Sequence, residues 1–139
     1  MTWSNRFIGL PWADFGRTRE GCDCYGLVHV VYREELGITL PDYLGYGSPD
    51  EVGEIAALIE GAQASPLWLP REGPALAFDV AVFRQGRLAT HVGIVVRHGL
   101  MLHMVDGDAA KIEDYRAGRW ASRLTGHWRH VDVVSAVAA

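Results

Sequence analysis

The strongest constraint in this sequence is a change of hydrophobic period near residue 79. Before it, apolar residues recur at helical spacing. Leu27, Val28, Val31 and Tyr32 line one helix face, Leu36 extends it, and Gly37 ends the pattern as a C-cap. A second stripe, Val52, Ile55, Ala56 and Ile59, is opened by Ser48-Pro49-Asp50-Glu51, where Ser48 caps, Pro49 suits the first turn and Glu51 completes a capping box. Gly61 is expected to stop it. After residue 79 the pattern becomes short Val-rich runs, Asp79 to Phe83, Thr90 to Val96 and Leu100 to Val105, with turns at Gln85-Gly86 and His98-Gly99. Lys111 to Tyr115 adds a short strand and Gly126 to Val134 a last one. Residues 1–20 read as an extended arm and loop, and residues 62–78, with Pro66, Pro70 and Pro74, as a connector. Helices followed by consecutive strands predict an α+β fold with an antiparallel sheet, because a parallel sheet needs helices between its strands.

A chain of 139 residues is expected to be one domain, residues 1–139. Its net charge of −4 excludes the basic field that would hold nucleic acid. No stretch approaches a membrane span, so no membrane insertion is expected. Met1 to Trp12 lack the apolar run of a signal peptide. A protein of this kind acting outside the cell would be carried there by something other than its own leader.

The chemistry is concentrated in Gly21-Cys22-Asp23-Cys24-Tyr25-Gly26-Leu27-Val28. Asp23 is a natural N-cap for the first helix, which places Cys24 at the first helical position. A helix start carries roughly half a positive charge. That charge favours the thiolate, the nucleophilic form, so an activated Cys24 would alkylate well below the ordinary thiol pKa of about 8.5. The competing reading is a buried, inert cysteine. Cys22 reads as a packed neighbour of the loop. Its spacing from Cys24 suits neither a mutual disulfide nor a zinc site, which wants a second pair.

Two of the six histidines sit in apolar strands, His91 in His91-Val92-Gly93-Ile94 and His103 in Leu100-Met101-Leu102-His103. A three-residue turn over residues 97–99 would pair position 93 with 103 and put His91 and His103 on one face, whereas a two-residue turn would split them. If that face receives the first helix, Cys24 meets His91, and His103 fixes the tautomer. This is a nucleophile–base–orienter set. Two structural histidines satisfied by backbone are the alternative. A zinc site on Cys24, His91 and His103 is chemically possible but has no sensible fourth ligand, so no metal or cofactor is expected.

Asp23-Cys24-Tyr25-Gly26-Leu27-Val28 resembles the Asp-Cys-Ser-Gly-Leu-Val signature of the NlpC/P60 cysteine peptidases, and His91-Val92-Gly93-Ile94 their His-Val-Gly-Ile. His103 falls at the family's third polar position. Gly37-Ile38-Thr39-Leu40-Pro41 is similar to the exit from the family's nucleophile helix. The resemblance covers roughly residues 8–45 and 76–106. It implies a papain-like fold with an N-terminal nucleophile helix packed on the sheet, and hydrolysis of peptidoglycan stem peptides, usually at the bond from D-γ-glutamate to a diamino acid. It also implies Cys24 as nucleophile, His91 as base and then acid, His103 as orienter, and the Cys24 backbone N–H as part of the oxyanion hole. Trp12 stands where the family places a Tyr that helps the oxyanion, and Tyr25 replaces a small Ser. Trp12, Asp23 and Tyr25 are therefore the expected oxyanion and substrate-side residues. Phe78-Asp79 replaces a Gly-Asp, with Asp79 structural.

The compact form with an aromatic after the cysteine is similar to peptidases of phage tails and gene transfer agents. That likeness implies other tail-tip proteins as partners and action on the periplasmic wall after synthesis in the cytoplasm. A tail-tip subunit that keeps the fold and binds without cutting is the rival expectation. Arg116, Arg119 and Arg123 form a basic segment read as a solvated loop, with anionic wall polymer or a neighbouring subunit as its alternative partners.

Overall fold

A computed structural model describes residues 3–44 and 52–133, the Val52 side chain excepted. The expected capping box at Ser48 to Glu51 lies outside the described residues. Where an extended arm was expected, the chain makes a 3-10 turn, Trp3–Arg6, and a small antiparallel hairpin of β1 (Arg17–Thr18) and β2 (Gly21–Cys22). Helix α1 (Cys24–Val31) follows and runs on as a π-helical turn, Tyr32–Leu36, closed by Gly37 in the left-handed conformation at φ 66°. Only a residue without a Cβ adopts that angle at little cost.

Helix α2 is Val52–Ala64, so Gly61 does not end it. Gly61 is exposed with nothing near a would-be Cβ. The interior glycine costs about 1 kcal/mol, and the packing of Ile59 and Ala62 on the core offsets that.

Six strands make one sheet: β3 (Trp68–Pro70), β4 (Val80–Gln85), β5 (Leu88–Arg97), β6 (Leu100–His103), β7 (Lys111–Asp114) and β8 (Leu124–His130). Their order is β3-β8-β4-β5-β6-β7 and every neighbouring pair is antiparallel. The α+β architecture is the expected one. Strand β3 corrects the reading of residues 62–78 as a plain connector. Buried Trp68 pairs with His130 and anchors it. Pro70 is tolerated because β3 is an edge strand. A four-residue helix, α3 (Gly118–Ala121), interrupts the segment expected to be irregular.

The sheet buries both faces. Leu27, Val28 and Val31 of α1 pack with Val80, Val82, Val92 and Ile94. The opposite face holds Ala81, Phe83, Val95, Met101, Tyr115 and Trp120.

The segment entering β4 is held by a buried ion pair. Asp79 is fully buried, accepts from the Leu76 backbone N–H at 2.9 Å and takes the Arg129 Nε at 2.7 Å. Phe78, where the related motif has glycine, holds φ at 72°. That conformation is costly for a side-chain-bearing residue. It is sustained by stacking on Trp3, 4.5 Å between ring centres, and by the Tyr32 hydroxyl donating to the Phe78 carbonyl. Truncating Arg129 to alanine strands the Asp79 carboxylate in the interior. The expected loss is about 3 kcal/mol of stability, measured by denaturant unfolding. A loss below about 1 kcal/mol would show that Arg71, at 3.8 Å from Asp79, already compensates.

Candidate active site

Asp23 caps α1 as expected. Its Oδ1 accepts from the Gly26 N–H at 2.7 Å and is also held by Arg17 Nη1 at 2.8 Å. The nucleophile loop is clamped by close backbone contact: a Cβ on Gly26 would lie 1.9 Å from the Gly16 carbonyl oxygen. Small residues here let the β1–β2 hairpin set the start of α1. Cys24 is half-buried at that start.

Between β5 and β6 the turn is only His98-Gly99, with Gly99 at φ 87°. Taken alone, that turn would send the two histidines to opposite faces. The pairing runs Ile94↔Leu102 and Val95↔Met101, then slips by one residue to Arg97↔Leu100. The irregularity acts as a bulge and restores the parity that a three-residue turn would have given. Gly93 makes the approach possible, since a Cβ there would lie 3.2 Å from the His103 Cβ and 2.7 Å from the Met101 sulfur.

The face is not the expected one. Val92 and Ile94 alternate with His91 and Gly93, and the aliphatic pair packs beneath α1. His91 therefore shares the opposite face with Phe83, which it pairs across β4, and with Trp120. Cys24 and His91 both line one cleft of about 410 Å³. The Val92 backbone N–H reaches the Cys24 sulfur.

The histidines form a relay with a third member that was not anticipated. His91 Nε2 lies 2.9 Å from His103 Nδ1, and His103 Nε2 lies 2.8 Å from Glu113 Oε1. The carboxylate accepts, so His103 carries its proton on Nε2 and offers a lone pair at Nδ1. His91 then donates from Nε2, which leaves its Nδ1 as the nitrogen with the free lone pair. Strand pairing brings Glu113 to the site: β6 pairs Met101 with Glu113 and His103 with Lys111, so Glu113 is the diagonal neighbour of His103 on the same face. Trp120 was also missed. Its indole stacks on His91 at 4.7 Å and 26° and meets His103 edge-on at 5.1 Å, which restrains both rings.

Trp12 and Tyr25 line the cleft, but their polar atoms are engaged. The Trp12 indole N–H is given to Asp14 at 2.6 Å rather than held free for an oxyanion. The Tyr25 hydroxyl donates to the Pro41 carbonyl at 2.6 Å, tying the helix exit to the nucleophile loop. Asp23 also borders the cleft, with its carboxylate divided between helix cap and Arg17. Cys22 is fully buried against Met104, 3.6 Å between sulfurs, as its role of packed neighbour requires.

The electrostatics reverse one expectation. Burial, reinforced by the Asp23 charge, pushes the Cys24 thiol up to about 12. Burial, then His103, Arg119 and Arg123, push the His91 imidazole down to about 3. Desolvation outweighs the half-charge of the helix end, and the nearest cation, Arg17, is paired with Asp23. The free site therefore rests as thiol and neutral imidazole, not as an ion pair. In a Cys22→Ala background, iodoacetamide labelling of Cys24 is expected to climb steadily through pH 8.5 with no acid plateau. A plateau below about pH 7, the signature of a preformed thiolate, would overturn this assignment.

The NlpC/P60 family model matches residues 9–129. A curated relative, the "Murein DD-endopeptidase MepS/Murein LD-carboxypeptidase" of Escherichia coli strain K12, is 27% identical over 108 residues, 78% of this chain and 49% of the relative. The chain thus spans about half the length of that relative. Among solved structures, an NLP/P60 family protein similar to lipoprotein from Staphylococcus aureus Mu50 is 25% identical with a TM-score of 0.62, over 91% of this chain and 38% of the other. The NlpC/p60 domain of the peptidoglycan hydrolase SagA superposes with a TM-score of 0.60 at 18% identity, over 91% of each chain. The family model spans the helix start that carries Cys24 and the strands that carry both histidines, and the chain belongs to the NlpC/P60 family.

Proposed function

We propose that this protein is a cysteine peptidase that hydrolyses peptidoglycan stem peptides, cutting between D-γ-glutamate and a diamino acid. The observation that carries the reading is the relay from Glu113 through His103 to His91, ending in a cleft shared with Cys24. Family membership and the murein-cleaving activity named for the Escherichia coli relative support the peptidoglycan peptidase. That relative is named for DD and LD bonds, so the D-γ-glutamyl bond is supported by the sequence resemblance alone.

In this reading the Cys24 sulfur attacks the scissile carbonyl while His91 Nδ1 takes the thiol proton. The Cys24 backbone N–H, at the start of α1, meets the developing oxyanion. Collapse breaks the C–N bond, and His91 returns its proton to the departing amine. Water, deprotonated by His91, then cleaves the thioester and regenerates the thiol. Purified peptidoglycan incubated with the protein should release soluble muropeptides with new amino termini on the diamino acid, read by mass spectrometry. No new amino termini would refute the peptidase, and cleavage elsewhere in the stem would refute the bond.

Carriage by a phage-like tail to the periplasmic wall belongs to the same proposal. The likeness of the sequence around Tyr25 to such peptidases supports it, and co-sedimentation of the native protein with tail particles tests it. Burial of the Cys24 thiol beside the Asp23 carboxylate, which opposes the thiolate, favours the binding subunit as a second reading. Wall binding by the wild type without any release of muropeptides would select it.

A further inference from the structure

Of the three arginines in the basic segment, Arg116 is spent, with its Nη2 on Asp114 Oδ2 at 2.7 Å. The other two line the cleft that holds Cys24. The Arg119 guanidinium lies over the Trp120 ring at 4.7 Å, and Arg123 approaches the same ring at 6.0 Å. That ring is the one stacked on His91. Arg84 joins them from the end of β4, held by its Nη2 donating to the Ser122 carbonyl at 2.9 Å. Among the described residues, none of these three guanidinium groups is paired with a carboxylate. Among the described residues the acidic groups on the cleft are Asp106 and Asp23, and Asp23 is paired with Arg17.

A chain of net charge −4 thus gathers three guanidinium groups on the cleft that holds the Cys24 thiol. Ile55, Leu58, Ile59 and Trp128 give the same cleft apolar lining, which strengthens the field inside. A guanidinium stacked on an indole keeps its N–H donors in its own plane, where they match a carboxylate.

We propose that Arg84, Arg119 and Arg123 form a subsite for a free carboxylate on the leaving-group half of the substrate. This rests on the peptidase reading and adds the side of the scissile bond. His91 must deliver its proton to the departing amine, and Arg119 lies one ring away from His91. The atoms attached to that amine are therefore the ones the arginines reach. A diamino acid with an unamidated carboxylate is the fitting chemistry, and its carboxamide is disfavoured.

The Cys24→Ala protein is the probe, because it binds without cutting. It is titrated calorimetrically with two synthetic L-Ala-D-γ-Glu-diamino acid peptides that differ only in a free carboxylate or a carboxamide on the diamino acid. The free acid should bind about tenfold tighter. Adding Arg119→Gln and Arg123→Gln should erase that preference while leaving the carboxamide affinity in place. Equal affinities, equal weakening of both peptides by the glutamines, or no binding of either peptide would overturn the subsite. Wild-type digestion of the wall is scored separately. Cleavage indifferent to the carboxylate sinks the subsite and spares the peptidase. Preferential binding of the acid without any cleavage does the reverse.

Discussion

Replacing Cys24 with alanine is expected to abolish release of muropeptides, a fall on the order of a millionfold in kcat, as for loss of the nucleophile in other acyl-transfer sites. The other sulfur, Cys22, is fully buried against Met104 and cannot substitute. Cys24→Ser is expected to fall nearly as far. Its hydroxyl is a poorer acid than the thiol, and the neutral imidazole of His91 has been made a weaker base by burial and by its cationic neighbours. Neither change should harm the fold. Cys24 is half-buried at a helix start whose capping bond belongs to Asp23, and alanine is a good helix former. Cys22→Ala should show the opposite profile: activity retained, with about 1 kcal/mol of stability lost to the small cavity. Unfolding curves and muropeptide release on the same samples separate the two. More than about 1% residual activity in Cys24→Ala would remove the thiol from the mechanism.

What could be read from the chain follows from how locally each feature is determined. The N-cap at Asp23 and the left-handed stop at Gly37 involve a few consecutive residues, and both stand where the sequence implies. The adjacency of His91 and His103 needed only the parity of one hairpin. It holds although the turn is one residue shorter than the expected one, because a register slip beside Arg97 compensates for the missing turn residue. The face they occupy did not follow, because Val92 and Ile94 compete for the helix and win by apolar area. Glu113 escaped because residues 104–110, which separate β6 from β7, do not set a register by their length. Strand β3 escaped because three residues ending in proline carry no period, and only its pairing with β8 makes it a strand. The arginines on the cleft escaped for a similar reason: Arg119 and Arg123 sit in a stretch without periodicity, positioned by the burial of Trp120 between them.

His103→Leu is expected to lower kcat on the order of a thousandfold with KM nearly unchanged, the size of effect seen when an orienting partner of a catalytic histidine is lost. Leucine leaves His91 Nε2 without its acceptor, so the imidazole can take the tautomer that presents N–H rather than a lone pair to the thiol. His103→Asn separates that cause from mere disruption of a buried position. Its Oδ1 falls close to where His103 Nδ1 stood, 2.9 Å from His91 Nε2, so the acceptor survives while the link to Glu113 is cut. The asparagine protein should therefore recover most of the loss and resemble Glu113→Ala, which is expected to lose about tenfold, the low end for removing a partner of an orienting histidine. Glu113→Gln keeps an accepting oxygen toward His103 Nε2 and should lie between Glu113→Ala and the wild type. A structural role alone would rank the variants by stability and raise KM with them. The relay ranks them by whether an acceptor remains for each ring nitrogen, and it moves kcat. If His103→Asn is as inactive as His103→Leu at equal stability, the lone pair at Nδ1 is not what holds the base in its reactive form.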